Sequence, residues 1–330
     1  MKNFWENALN LYNYHCVNNT DFLNKIFEDK YFNILKNNII SKEDKILNQD
    51  LNQKFDYELL LEKYNKNNLI TSRLGCVESS FIINYFFNKT NIYYHIPIPR
   101  DNVDIYMKRN AGLYYKNIQD KKDVLDWWCE NTIEIIKKSE ITSCYIMLYW
   151  DLTLWSLLDL KKNFYNYGNL HKLILQNSGG KKILYIGNAI KSIKNAFDCG
   201  VQNMWNFEIP EFQLYLVKTP QTTLNMVYPD DNIKITIEKL VDEIITNYSD
   251  FDTAILGCGA YGHPIMNLLS KKFKNKNMLY LGSLCYSMFG LYTNGIQIPK
   301  DRDVIEKNWM SVSEDYDESF INIDRAKYWK

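Results

Sequence analysis

The sequence predicts an α/β protein: a Rossmann-like, mostly parallel sheet flanked by helices, preceded by an amino-terminal helical region. Three observations carry that expectation. From about residue 68 onward, short β-branched or aromatic runs ended by Gly, Asn or Pro alternate with amphipathic segments, which is the texture of repeated βα units. Three of the runs pass at once into a glycine-containing turn and a helical pattern, at Arg73–Glu78, Gly187–Ser192 and Gly257–Gly262. Residues 1–65 contain neither Gly nor Pro, and they space Trp5, Leu9, Tyr12 and Cys16, then Leu51, Phe55 and Leu59, at three or four residues, the period of a helix. The division expected is therefore 1–65, helical, and 66–330, one α/β domain.

In chain order the strands fall at Asn68–Ser72, shortly before Gly75; Ile92–Ile96, stopped by Pro97; Ser143–Leu148; Lys182–Ile186, stopped by Gly187; Phe212–Val217; Thr253–Leu256, stopped by Gly257; and Met278–Leu281, stopped by Gly282. The amphipathic segments between them predict helices at Val77–Phe87, Val103–Tyr115, Asp123–Lys138, Ile190–Phe197, Ile233–Asn247, His263–Phe273 and Leu284–Leu291. The stretch Asn177–Lys182 is the best candidate for a junction between two halves, with a surface turn the favoured reading. Strands alternating with helices imply crossovers, and ligands of such sheets bind beyond the carboxyl ends of the strands.

Composition removes several function classes. Lys+Arg and Asp+Glu both total 39 in 330 residues, so the chain has no electrostatic footprint for nucleic acid or an anionic membrane. Tyr145–Leu160 is the longest greasy stretch and is interrupted by Asp151 and Asp159, too short for a span of about 20 apolar residues. No signal peptide is read at the amino terminus, and the seven cysteines (Cys16, Cys76, Cys129, Cys144, Cys199, Cys258 and Cys285) never form a CxxC. A cytoplasmic protein with reduced thiols is expected. His15, His95, His171 and His263 show no HxH or HExxH spacing, which argues against a histidine-based metal site.

The chemistry-bearing segments are four. Gly257-Cys258-Gly259-Ala260-Tyr261-Gly262 is a GxGxxG between a strand and a helix; its glycines let backbone amides approach a phosphate at a helix amino terminus, or merely permit close packing. On the first reading, Val at Gly259 or Gly262 harms nucleotide binding more than folding. Arg73-Leu74-Gly75-Cys76-Val77-Glu78 offers a forked cation for a diphosphate and a carboxylate one turn on, or a structural ion pair. Arg109-Asn110-Ala111-Gly112-Leu113-Tyr114-Tyr115 is polar and then aromatic, suited to a ribose, base or sugar. In Gly187-Asn188-Ala189-Ile190-Lys191-Ser192, Gly187 and the Ser192 hydroxyl are placed to touch phosphate. A dinucleotide site wants an acidic residue about 20 positions after the glycines, where this chain has Leu281-Gly282-Ser283. LGCGAYG is also similar to the first motif of S-adenosylmethionine methyltransferases, but too little chain follows it for the rest of that fold.

Taken in order, SRLGCVES, RNAGLYY, KKILYIGNAIKSI, FDTAILGCGAYGHPI, MLYLGSLCYSMFG and the closing Lys327-Tyr328-Trp329 resemble the glycosyltransferase-D fold family over about residues 68–330. The resemblance implies transfer of a sugar from a nucleotide-sugar donor to a glycan or other hydroxyl acceptor. It implies catalytic roles for Arg73 and Glu78, and a donor site that includes Gly75, Asn110, Gly112, Gly187, Asn188, Ser192, Gly257, Gly259, Ala260, Tyr261, Gly262 and Gly282. It also implies a divalent metal, manganese or magnesium, at Glu78. The family's RFGDGE aspartate is Cys76 here, and a neutral thiol is a poor ligand for a hard ion. A catalytically silent nucleotide-sugar-binding domain is the alternative, with a methyltransferase behind it. Residues 1–65 have no counterpart in the family and are expected to pack on the α/β core or on a second subunit.

Overall fold

The computed structural model describes residues 57–90, 107–144, 167–223, 228–293 and 304–312, together with residues 105, 158 and 315. Within them run α1 (Tyr57–Asn65), β1 (Ile70–Leu74), α2 (Cys76–Thr90), α3 (Lys121–Lys138), β2 (Ile141–Cys144), α4 (Tyr167–Gln176), β3 (Lys182–Gly187), α5 (Ile190–Asp198), β4 (Gln213–Lys218), α6 (Ile233–Asn247), β5 (Thr253–Gly257), α7 (Gly262–Lys272), β6 (Asn277–Tyr280), α8 (Cys285–Met288) and the two-residue pair β7 (Leu291–Tyr292) and β8 (Met310–Ser311). The helices expected before residue 57, the strand Ile92–Ile96 and the closing Lys327–Trp329 lie outside the described residues.

Six strands form one sheet in the order β2-β1-β6-β5-β3-β4, and every neighbouring pair is parallel. This is the α/β architecture expected, with the turns after β1, β3 and β5 at one edge. Parallel sheets are covered on both faces, and the pleat of β3 shows how. Ile183 and Tyr185 enter one apolar core with Leu173, Ile193 and Met288. Leu184 and Ile186 enter the other, with Ile83, Trp128, Ile237 and Leu269. β3 thus feeds two cores through the two-residue period of its side chains, and β5 and β6 do the same, Ala254, Leu256 and Met278 entering one core and Ile255 and Leu279 the other.

Several elements differ from expectation for local reasons. β1 begins two residues late because the end of α1 consumes Lys66, Asn67 and Asn68 as donors to Glu62, Tyr64 and Lys63; Asn67 takes φ 53° there. Arg73 consequently belongs to the strand, not to the turn after it. Of the helix expected over Val103–Tyr115, residues 103, 104 and 106 lie outside the described residues; residue 105 is helical, and Met107–Ala111 form a π turn stopped by Gly112 at φ 79°. Tyr115 then pairs with Asn232 as an extended bridge. The segment Leu284–Leu291 is shorter than a full helix: Gly290, at φ 68°, ends α8, and Leu291 enters the small sheet with Met310. β2 starts at Ile141 rather than Ser143, and α4 was not expected at all. The turn at 177–182 is a turn, with Gly180 at φ 66°.

Candidate functional site

The six carboxyl ends share one edge, and the chain reverses direction across it. From β3 the connection runs outward to the edge strand β4 through α5; from β5 it runs the other way to β6 through α7. Residues of α5 pack in one core and residues of α7 in the other, so the two crossovers lie on opposite faces. Between them, where Gly187 pairs with Gly257, is the topological switch point, the place where open α/β sheets open a crevice. A cleft of about 300 Å³ lies there.

One end of the cleft is charged. Arg73, at the penultimate position of β1, sends Nη1 to the carbonyl of Leu281 at 3.3 Å and lies against Gly282, whose φ of 58° leaves no room for a side chain: a Cβ there would stand 2.6 Å from the guanidinium. Gly75 precedes α2, and a Cβ on it would collide with Glu78 Oε2. The glutamate therefore folds back over its own helix start, where the amide ends of the first turn favour negative charge. Desolvation raises the Glu78 carboxyl above the ordinary range, opposed by its own backbone N–H and by the positive charge of Arg73. Arg73, Gly75, Glu78 and Gly282 all line the cleft.

The glycine turn after β5 forms the floor. Gly257 and Gly259 line the cleft with Cys258 and Tyr261. A Cβ on Gly257 would stand 2.7 Å from the carbonyl of Gly282, so this glycine lets the turns after β5 and β6 meet. Gly259 takes φ 54° and faces the carbonyl of Ala111, 2.6 Å from where its Cβ would be. Asn110 and Gly112 are also in the lining; Gly112 is held by Thr222, whose hydroxyl donates to its carbonyl at 2.6 Å and lies 3.2 Å from the Tyr261 hydroxyl. Tyr280 donates to the Gly259 carbonyl at 3.0 Å. Burial pushes the Cys285 thiol up to about 12 and raises Cys258 as well, so both are protonated and neither is poised as a nucleophile.

Four of the residues singled out in the sequence stand outside the lining. Ala260 is fully buried, its carbonyl accepting Trp128 Nε1–H at 2.7 Å. Gly262 gives way to the ring of Tyr280, with which an added Cβ would collide, and Gly187 gives way in the same manner to the hydroxyl of Tyr185. Ser192 is 2% exposed and its hydroxyl has no partner among the described residues. The α5 amides expected to meet phosphate already hold an anion: Asp315 accepts from the backbone N–H of Lys191 at 3.1 Å and of Ser192 at 2.7 Å. Asn188 alone of that segment lines the cleft.

These placements change the expectation for the glycines. Val at Gly262 is predicted to damage folding first, since overpacking into a closed core costs about 1–3 kcal/mol. A chemical denaturation midpoint lowered with the slope unchanged checks this. An undiminished midpoint contradicts the packing role.

The sequence reading missed the segment after β4. Pro220, Gln221, Thr222 and Thr223 form the far wall of the cleft, a polar run without glycine at a strand's carboxyl end, which was the available signal. As for a divalent ion, Glu78 is the only carboxylate among the described lining residues, and Arg73 opposes a cation beside it. No group of three His, Cys, Asp or Glu gathers among the described residues. This donor set does not fit a metal held by the protein alone. No helix among the described residues is long and apolar enough to cross a membrane. No protein-family model, curated protein or solved structure matches the chain.

Proposed function

We propose that this chain is a nucleotide-sugar-dependent glycosyltransferase, moving a sugar from a nucleoside diphosphate to the hydroxyl of a glycan or similar acceptor. One observation carries the reading: Arg73, Glu78 and the glycine turn after β5 converge at the switch point of a parallel sheet, although they come from segments about 180 residues apart in the chain. The resemblance of the same segments to the glycosyltransferase-D fold supports it. In this reading the Arg73 guanidinium and the amides of the glycine turn after β5 hold the diphosphate and take up the charge that develops as it departs. Glu78 receives the acceptor's proton as the new bond from the acceptor oxygen to the sugar carbon forms and the bond to phosphate breaks. Its raised proton affinity makes it a stronger base than a solvated carboxylate.

A second reading, a domain that binds nucleotide sugars without turning them over, is favoured by Cys76 at the family's aspartate position and by Glu78 lying over Gly75 like a helix cap. Release of free nucleoside diphosphate from a panel of nucleotide sugars separates the two. The assay is run with a hydroxyl acceptor mixture, with and without manganese. The transferase reading expects release that scales with enzyme and is accelerated by acceptor. Saturable donor binding without any release selects the binding domain.

A further inference from the structure

The wall of the cleft opposite Arg73 carries no charge and is built differently from the rest. Asn188, just past β3, and the segment after β4 are joined side chain to side chain. The Thr219 hydroxyl donates to Asn188 Oδ1, Asn188 Nδ2 donates to Gln221 Oε1, and Gln221 Nε2 donates to Thr223 Oγ1 at 2.9 Å. Thr219 is itself pinned through its backbone N–H to the Gly187 carbonyl at 3.0 Å. All three bonds run the same way, so the chain is polarised and each link strengthens the next. Only about a tenth of protein hydrogen bonds join two side chains, and three in series at a cleft wall form a fixed array.

The valences left over define what the array can read. Each amide has one N–H and one oxygen lone pair beyond the bonds of the chain, and the Thr223 hydroxyl, having accepted from Gln221, has its hydrogen left to donate. Asn188, Gln221 and Thr223 all line the cleft. Paired donors and acceptors on planar amides match the edge of a nucleobase, as Asn and Gln do when they read adenine. A lone charge would be poorly served there, because every group is neutral.

Position adds the second constraint. β1, which bears Arg73, and β3, which leads into Asn188, are separated by β6 and β5, three steps of about 4.8 Å or roughly 14 Å in all. A ligand with its diphosphate near Arg73 and its reacting sugar near Glu78 must extend its remaining part, the nucleoside, toward this wall. We propose that the Asn188–Gln221–Thr223 array is the base-reading subsite that sets which nucleoside diphosphate the cleft accepts. The inference rests on the nucleotide-sugar reading above and goes beyond it in naming the half of the donor that is discriminated and the residues that discriminate.

The test compares affinities of the full chain for inorganic pyrophosphate and for the diphosphates of uridine, cytidine, adenosine and guanosine, by calorimetry. Thr223→Val removes the terminal donor at nearly constant shape, and Gln221→Glu replaces the donor that feeds it with an acceptor. Melting curves confirm that both variants fold. A wild-type preference for one base of about tenfold or more is expected, and either variant lowers the ratio of preferred nucleoside diphosphate to pyrophosphate affinity by about tenfold. An unchanged ratio in both folded variants overturns the base-reading role. If the variants alter discrimination between two nucleotide sugars that share a nucleoside but leave the free diphosphates untouched, the wall holds the sugar and the inference also fails. Absence of binding by the wild type to pyrophosphate and to all four nucleosides overturns the nucleotide-sugar reading itself, a result distinct from the other two.

Discussion

Glu78→Gln is expected to yield a folded protein whose sugar transfer falls by about a hundredfold to ten-thousandfold, the range contributed by a positioned general base. The amide keeps the shape that lies over Gly75 and loses the ability to take a proton. Donor affinity distinguishes the roles open to the carboxylate. As acceptor base, Glu78 can be replaced with donor affinity maintained, and only turnover falls. If Glu78 instead helps to hold a divalent ion, the variant loses manganese dependence and donor affinity together. If the carboxylate serves only as a cap on α2, the variant is less stable by about 1 kcal/mol and its folded fraction turns over normally, which would remove Glu78 from the reaction.

Acid is expected to destabilise the fold well before most carboxylates titrate. His171 is 3% and His263 1% exposed; desolvation lowers the pKa of each ring to about 3. His171 Nδ1 lies 3.2 Å from the Ser287 hydroxyl, and neither His263 nitrogen has a partner among the described residues, its ring packing at 4.3 Å on Tyr280. Both histidines stay neutral when folded and take protons when unfolded once the pH drops below about 6.5. Folding stability attributable to them is complete above pH 6.5 and is lost as the pH falls toward 3, at about 1.4 kcal/mol per unit for each ring. At pH 5 the two together remove about 4 kcal/mol, a large part of a typical total of 5–15 kcal/mol. Carboxylates held low by partners, such as Glu134 at about 2, act only below their ordinary range near pH 4. Urea unfolding at pH 7.5 and 5.0 measures the loss, and ring proton shifts that titrate near 6.5 in the folded protein would contradict it.

The parts of the fold legible in the sequence are those whose signals are local. The sequence places α6 at Ile233–Asn247, and the helix has those bounds: Asn232 caps it, its side chain accepting from the Ile235 N–H at 3.2 Å, and the run beyond has neither Gly nor Pro. β3 and β5 were legible because an uninterrupted apolar run between turn residues has few other uses. α4 was not, because Gly168 sits in its first turn and reads as a break, although His171 and Leu173–Leu175 bury there. Strand order is set by which faces pack after crossover, and no residue pattern announces that β6 inserts between β1 and β5.

The candidate site divides along the same line. Glycine turns announce themselves, so Gly75, Gly257, Gly259 and Gly282 were legible, and each stands in the cleft lining. Which glycine faces a ligand and which a ring was not legible. Gly262 meets Tyr280, a residue eighteen positions away. Of the Asn188–Gln221–Thr223 wall, Asn188 was legible in the turn after β3, while Gln221 and Thr223 carry no motif; the three become an array only when β3 and β4 pair along their whole length, Lys182 with Gln213 through Gly187 with Lys218.

The proposed function requires one cleft at the switch point to bind a nucleotide sugar with its diphosphate on Arg73. The most direct measurement is thermal melting of the wild type and of Arg73→Met against a panel of nucleotide sugars. A ligand at 100 times its dissociation constant adds about 2.7 kcal/mol, which at about 1–2 °C per kcal/mol for a chain of this size raises melting by roughly 3–5 °C. Such a rise is expected for at least one nucleotide sugar with the wild type, and its loss in a folded Arg73→Met protein. No rise with any donor, or an equal rise in both proteins, would contradict the proposed function.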